Sequence, residues 1–183
     1  MPDDQTTEDE FEPGSGWNRS DLDVLNHEVA HAQVADFMSV KILEVRIDNP
    51  LNWLTRGPDS RGCCITEKIV GEDRWKDLCI SLASLIVENR APKSIPSLDT
   101  AEPGDEMNIA IICYELEISS ERYANLLSFT EAILEYSPSR EKGTALSREL
   151  LDHGALPGHE VERIFREAEA QGKGKAKVSD DGQ

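Results

Sequence analysis

The stretch His27-Glu28-Val29-Ala30-His31 places the tightest constraint on how this chain can fold. It lies inside a run, 20–39, that reads as one helix. Residues four apart on a helix share a face, one turn from each other. Both imidazoles can therefore meet a single metal ion, and Glu28 can reach a water bound to that ion. Val24, Val34, Ala35 and Met38 fall on the same side as the histidines, so the pair is expected to face the interior. A catalytic zinc takes three protein ligands and one water. The fold must therefore bring a third ligand to this helix from elsewhere and leave one position open.

With 183 residues, 38% of them hydrophobic, the chain suits one domain with its own core. The net charge of −17 argues against nucleic acid and against an anionic membrane surface, since both need a basic face. No run approaches the roughly 18 apolar residues of a membrane span, and Met1-Pro2-Asp3-Asp4 lacks the order of a signal peptide. The expectation is a cytoplasmic protein without membrane insertion. Cys63, Cys64, Cys79 and Cys113 form no CxxC pair, which leaves a thiolate metal site without support. Cys79 and Cys113 sit among apolar residues at helical spacing and read as buried free thiols.

The pattern predicts a mainly α (α+β) fold, with a small two- or three-stranded sheet beside the histidine helix. Residues 1–16 read as a disordered acidic tail, 17–170 as the folded domain, and 171–183 as a disordered tail. Strands are expected at 41–48 and 62–66, with a loop at 50–61 between them. A helix from 73 to about 89 carries Trp75, Leu78, Leu82, Leu85 and Ile86 as one stripe. A proline-containing loop follows, and then helices over about 104–116, 120–136, 140–151 and 157–170. Trp17, Trp53 and Trp75 read as packing residues.

His153 and His159 are candidates for the third ligand, but both read as surface residues near helix ends. On the helix that begins near Gly104, successive residues turn by about 100°. With Asp105 at zero, Ile109, Ile112, Cys113 and Leu116 cluster around it, and Glu106 and Asn108 fall to either side. A carboxylate on a core-facing stripe is costly unless it is paired or holds a metal. That nominates Asp105. Its position at a helix start leaves a capping role as the alternative, and Glu106 and Asn108 remain open as ligand positions.

Several segments, taken in order, resemble the peptidase domain of the FtsH-type zinc metalloproteases. His27-Glu28-Val29-Ala30-His31-Ala32 is similar to that family's HEAGHA, and Arg61-Gly62-Cys63-Cys64-Ile65-Thr66 to its glycine-containing strand. Leu82-Ala83-Ser84-Leu85-Ile86-Val87-Glu88 resembles its LAGRxAE helix, with Ser84 where the family has glycine. Gly104-Asp105 resembles the turn that introduces its aspartate ligand. Leu150-Leu151-Asp152 through Leu156-Pro157-Gly158-His159-Glu160-Val161 resembles its closing element. The resemblance implies zinc held by His27, His31 and Asp105, with Glu28 as general base in a metallopeptidase acting on unfolded polypeptides. Glu88 is a candidate acid for orienting a ligand histidine.

The sequence also departs from that family. No G-x-x-x-x-G-K-[ST] loop occurs, so the expectation is a peptidase domain without an ATPase motor. It would act on flexible segments or receive substrate from a separate ATPase or adaptor; the oligomeric state is left open. The competing expectation is an inactive peptidase-like protein that binds or regulates a partner.

Overall fold

The computed structural model describes residues 19–47 and 62–180. It is mainly helical with a small antiparallel sheet, as the sequence predicts. Helix α1 (Arg19–Phe37) leads into strand β1 (Ile42–Ile47) and strand β2 (Gly62–Thr66). A 3-10 turn at Gly71–Arg74 opens helix α2 (Trp75–Val87), and α3 (Asp105–Glu115) follows the proline-containing loop. Then come α4 (Ser120–Glu135), α5 (Ser137–His153), β3 (Ala155–Pro157) and α6 (Gly158–Asp180).

The main core lies where α1 meets the sheet, α2, α4 and α5, and where α6 packs against β1 and α5. Residues Ala30 to Ala35 of α1 are all buried. The small side chains of Ala30, Ala32 and Ala35 let neighbouring elements approach on several sides of this helix. In β1, Ile42, Val45 and Ile47 point inward, and a register shift between Ile42 and Glu44 turns Leu43 out to 45% exposure. The extra residue of a bulge explains why the buried positions depart from strict alternation. A second core joins Leu78, Leu82 and Leu85 of α2 to Ile109, Ile112 and Cys113 of α3 and to Tyr123 of α4. The central helix α2 thus belongs to both cores.

The first three helices end alike. Ser39, Asn89 and Glu117 each take positive φ, and the following amides of Val40, Arg90 and Ile118 bond back to Ala35, Leu85 and Cys113 at 2.8–2.9 Å. These are left-handed C-terminal caps that satisfy the last helical carbonyls. The cap at the end of α2 turns the chain immediately after Glu88.

Some expectations need correction. The 171–180 stretch, read from sequence as a disordered tail, continues helix α6 to Asp180. Its Ala, Lys and Gln are good helix formers. Helix α5 begins at Ser137 rather than Arg140, with Pro138 in the first turn, where its missing N–H costs nothing. Strand β3 is a separate three-residue element pairing with Glu44–Arg46, which makes β1 the central strand and β2 an edge. The acidic tail at 1–16, Trp17, Trp53 and the 50–61 loop lie outside the described residues.

Candidate metal centre

Helix α1 brings His27, Glu28 and His31 to the floor of an open cleft of about 650 Å³. Edge strand β2 lines one side at Gly62–Cys64, and the Glu102–Asp105 segment lines another. His31 is buried and His27 half-buried, with their rings in an edge-on contact, centroids 4.7 Å apart.

Each imidazole is held by its Nδ1. His31 Nδ1 lies 2.7 Å from the Ile80 carbonyl oxygen. His27 Nδ1 lies 2.8 Å from Glu88 Oε1. Both partners only accept, so both Nδ1 atoms carry the hydrogen and each neutral ring keeps its lone pair on Nε2. Those two Nε2 atoms meet Asp105 Oδ2, at 3.2 Å from His27 and 3.3 Å from His31. Asp105 is therefore the residue that completes the pair, as the helical wheel nominates.

Three acceptor atoms converging in this way repel one another unless a proton or a cation sits among them. His27, His31 and Asp105 form a group that can hold a metal ion, with ligand atoms within 4.8 Å of one another. Two of the three spacings also fit. Tetrahedral bonds of about 2.0–2.1 Å set ligand atoms roughly 3.3–3.4 Å apart, close to the two nitrogen–oxygen distances in this centre.

The titration behaviour follows from these contacts. Burial alone would lower the His27 pKa, but hydrogen bonds to Asp105 and Glu88, with the charges of Glu28 and Asp105, raise it to about 9. Burial would raise Asp105, yet the His27 and His31 imidazoles and the Ser84 hydroxyl against it hold it well below the usual carboxylate range. Burial pushes Glu28 up, against the pull of His31 and His27. Glu28 is 6% exposed and accepts the backbone N–H of Cys64. A Cβ at Gly62 would come within 2.8 Å of its Cγ and Oε1, so only glycine leaves room for this carboxylate.

Local structure explains the placement of Asp105. Gly104 takes φ +104°, ψ −136°, a conformation essentially confined to glycine, and this turn starts α3 on Asp105. The preceding loop is tied down on both sides. Arg90 donates to Glu88 at 3.0 Å and to Glu102 at 2.5 Å, and Tyr123 donates to the Pro92 carbonyl at 2.8 Å.

The other candidates do not join the group. Glu106 and Asn108 line the cleft wall, and Asn108 donates to Ser81 Oγ at 3.3 Å. His153 and His159 are 60% and 75% exposed and lie 3.6 Å from Glu149 and Glu160. Glu88, by contrast, makes the hydrogen bond to a centre histidine for which it is a candidate. Sequence reasoning missed the Ile80 carbonyl, which no residue type announces, and the hydrogen bond of Ser84 to Asp105. A polar residue three and four positions from Ser81 and Glu88 on one helix is the only signal that pointed to the latter.

Fold and site together define a mainly helical domain with a small sheet and a two-histidine, one-carboxylate centre. The chain matches no protein-family model and no curated protein. Among the described residues, no helix is long and apolar enough to cross a membrane.

Proposed function

We propose that this protein is a zinc-dependent endopeptidase of the FtsH-type kind, hydrolysing peptide bonds in flexible or unfolded polypeptides. The observation that carries the reading is the convergence of His27 Nε2, His31 Nε2 and Asp105 Oδ2 beside a buried Glu28, at the floor of an open cleft. Imidazole and carboxylate donors suit zinc. Iron(II) also accepts such a set, but a carboxylate next to the first histidine on the same helix favours hydrolysis.

These three side chains would hold a zinc ion, which would supply Lewis acidity to a water and to the scissile carbonyl. His27 and His31 bind through Nε2 while Glu88 and the Ile80 carbonyl keep their rings oriented. Asp105 contributes the one negative charge of the ligand set. Glu28 takes the proton of the attacking water and returns it to the leaving amine nitrogen. Burial raises its pKa, which makes it a better base than a solvated glutamate. Strand β2, an edge strand lining the cleft, suits an extended substrate by strand addition. An open cleft beside an edge strand suits substrate that arrives already flexible or is delivered by an ATPase or adaptor.

The test is cleavage of casein by wild type and Glu28→Gln, each with its zinc content measured. Wild type cleaves, loses activity to a chelator and regains it with zinc. Glu28→Gln keeps its zinc and cleaves at least about 100-fold more slowly. Stoichiometric zinc without cleavage of any unstructured substrate would instead make the protein a binding or regulatory module. Activity that survives Glu28→Gln would remove the assigned base.

A further inference from the structure

We infer that Ser84 is a positioning residue of the metal centre: its hydroxyl holds Asp105 Oδ2 between the two imidazoles and thereby sets the affinity for the ion. The inference rests on the metal-centre reading above and adds a residue that the family resemblance does not supply, since the resembled family has glycine at this position.

Ser84 is 0% exposed in the last turn of α2. A buried hydroxyl needs a partner, and two oxygens are in reach. Its Oγ lies 2.6 Å from Asp105 Oδ2 and 3.1 Å from the Ser81 carbonyl. The hydroxyl has one hydrogen. The Ser81 carbonyl sits inside a helix and already has the amide one turn on as donor. The carboxylate is charged, and the 2.6 Å separation is that of a charge-assisted O–H···O⁻ bond. The hydrogen therefore goes to Asp105.

The oxygen that receives it is the one that matters. Oδ2 is the atom 3.2 Å from His27 Nε2 and 3.3 Å from His31 Nε2. The competing place for this carboxylate is its own helix. Asp105 is the first residue of α3, where unsatisfied amides and the helix dipole attract an anion. Ser84 biases it away from that role and toward the histidines. A second rung supports the first: one turn along both helices, Asn108 donates to Ser81 Oγ at 3.3 Å. Ser81 and Ser84 thus face Asp105 and Asn108 at matched spacing, which fixes the register of α2 against α3.

Packing alone does not need a hydroxyl, so the contribution of the hydrogen bond can be separated from that of volume. Metal-free wild type, Ser84→Ala and Ser84→Cys are titrated with zinc against a chromogenic chelator. Ser84→Cys keeps the shape and loses the strong donor. Both variants are expected to bind zinc about 10-fold more weakly or worse, with melting of the metal-free protein little changed. In an Asp105→Asn background, the further effect of Ser84→Ala should shrink to less than about twofold, because the two residues act as one unit. Affinity within twofold of wild type for Ser84→Ala, or a loss that persists in full in the Asp105→Asn background, would overturn the inference alone. A wild type that binds no zinc would overturn it together with the metal-centre reading.

Discussion

Helix α2 faces α3 in two different ways. Leu78, Leu82 and Leu85 meet Ile109, Ile112 and Cys113 in a dry interface. On the same pair of helices, Ser81 and Ser84 meet Asn108 and Asp105 through single hydrogen bonds, and just past the end of α2 Glu88 reaches His27 of α1. The apolar contact is non-directional and shared among many atoms. The polar contact depends on which oxygen faces which nitrogen. The first holds the two helices together, and the second determines what they hold between them. Substitutions should therefore separate folding from metal binding along one helix.

The largest effect belongs to the apolar side. Leu82→Ala, at a fully buried position, should cost about 2–5 kcal/mol in stability. Denaturant unfolding measures this. The molecules that remain folded should bind zinc with nearly unchanged affinity, and a large loss of affinity would show that the two sides are not separable.

Gly104→Ala comes next. No atom stands within 4 Å of the added Cβ, so the only penalty is φ +104°. Strain of this kind costs about 1–3 kcal/mol. Because Gly104 aims Asp105, zinc affinity should fall as well. A variant with wild-type stability would mean that this turn adopts another conformation.

Glu88→Gln is smaller. It keeps a hydrogen bond to His27 Nδ1 but removes the charge, and a 10- to 100-fold loss in zinc affinity is the usual consequence. Unfolding should barely change. If stability drops and affinity does not, the Glu88–Arg90–Glu102 network serves the loop rather than the histidine.

The mildest perturbation is pH, applied to the metal-free protein. The His27 pKa is raised to about 9 in the folded state, from 6.5. Its stabilising contribution is thus complete below about pH 6.5 and is lost as pH rises through 9. A metal ion bound at His27 would compete with that proton, so apparent zinc affinity should rise with pH until about 9 and then level off. Melting curves with and without zinc across this range should diverge as pH increases. Asp105 has the opposite sense: its contribution is present above the ordinary carboxylate range and fades only in strong acid.

The legible and illegible parts of the molecule differ for physical reasons. His27, Glu28 and His31 are legible because helical spacing alone puts the two imidazoles on one face. Asp105 is legible because a carboxylate among Ile109, Ile112 and Cys113 needs a partner. Strand β2 has the bounds that its sequence predicts, Gly62–Thr66. Strand β3 is not legible, since Ala155–Pro157 is too short to show a period. Gly172 and Gly174 suggest an end to α6, but the alanines, lysines and glutamine around them outweigh the two glycines. The second contacts of the centre are the hardest to see. The His31 partner is a backbone carbonyl, and in sequence Ser84 shows only through its spacing from Ser81 and Glu88.

The central claim is that His27, His31 and Asp105 hold a single ion. The direct measurement is zinc per chain after saturation and dialysis, for wild type and for Asp105→Ala. The account predicts one zinc per wild-type chain and a loss of most of it in Asp105→Ala. A wild type that retains no zinc, or an Asp105→Ala variant that binds it as tightly as wild type, would contradict the account.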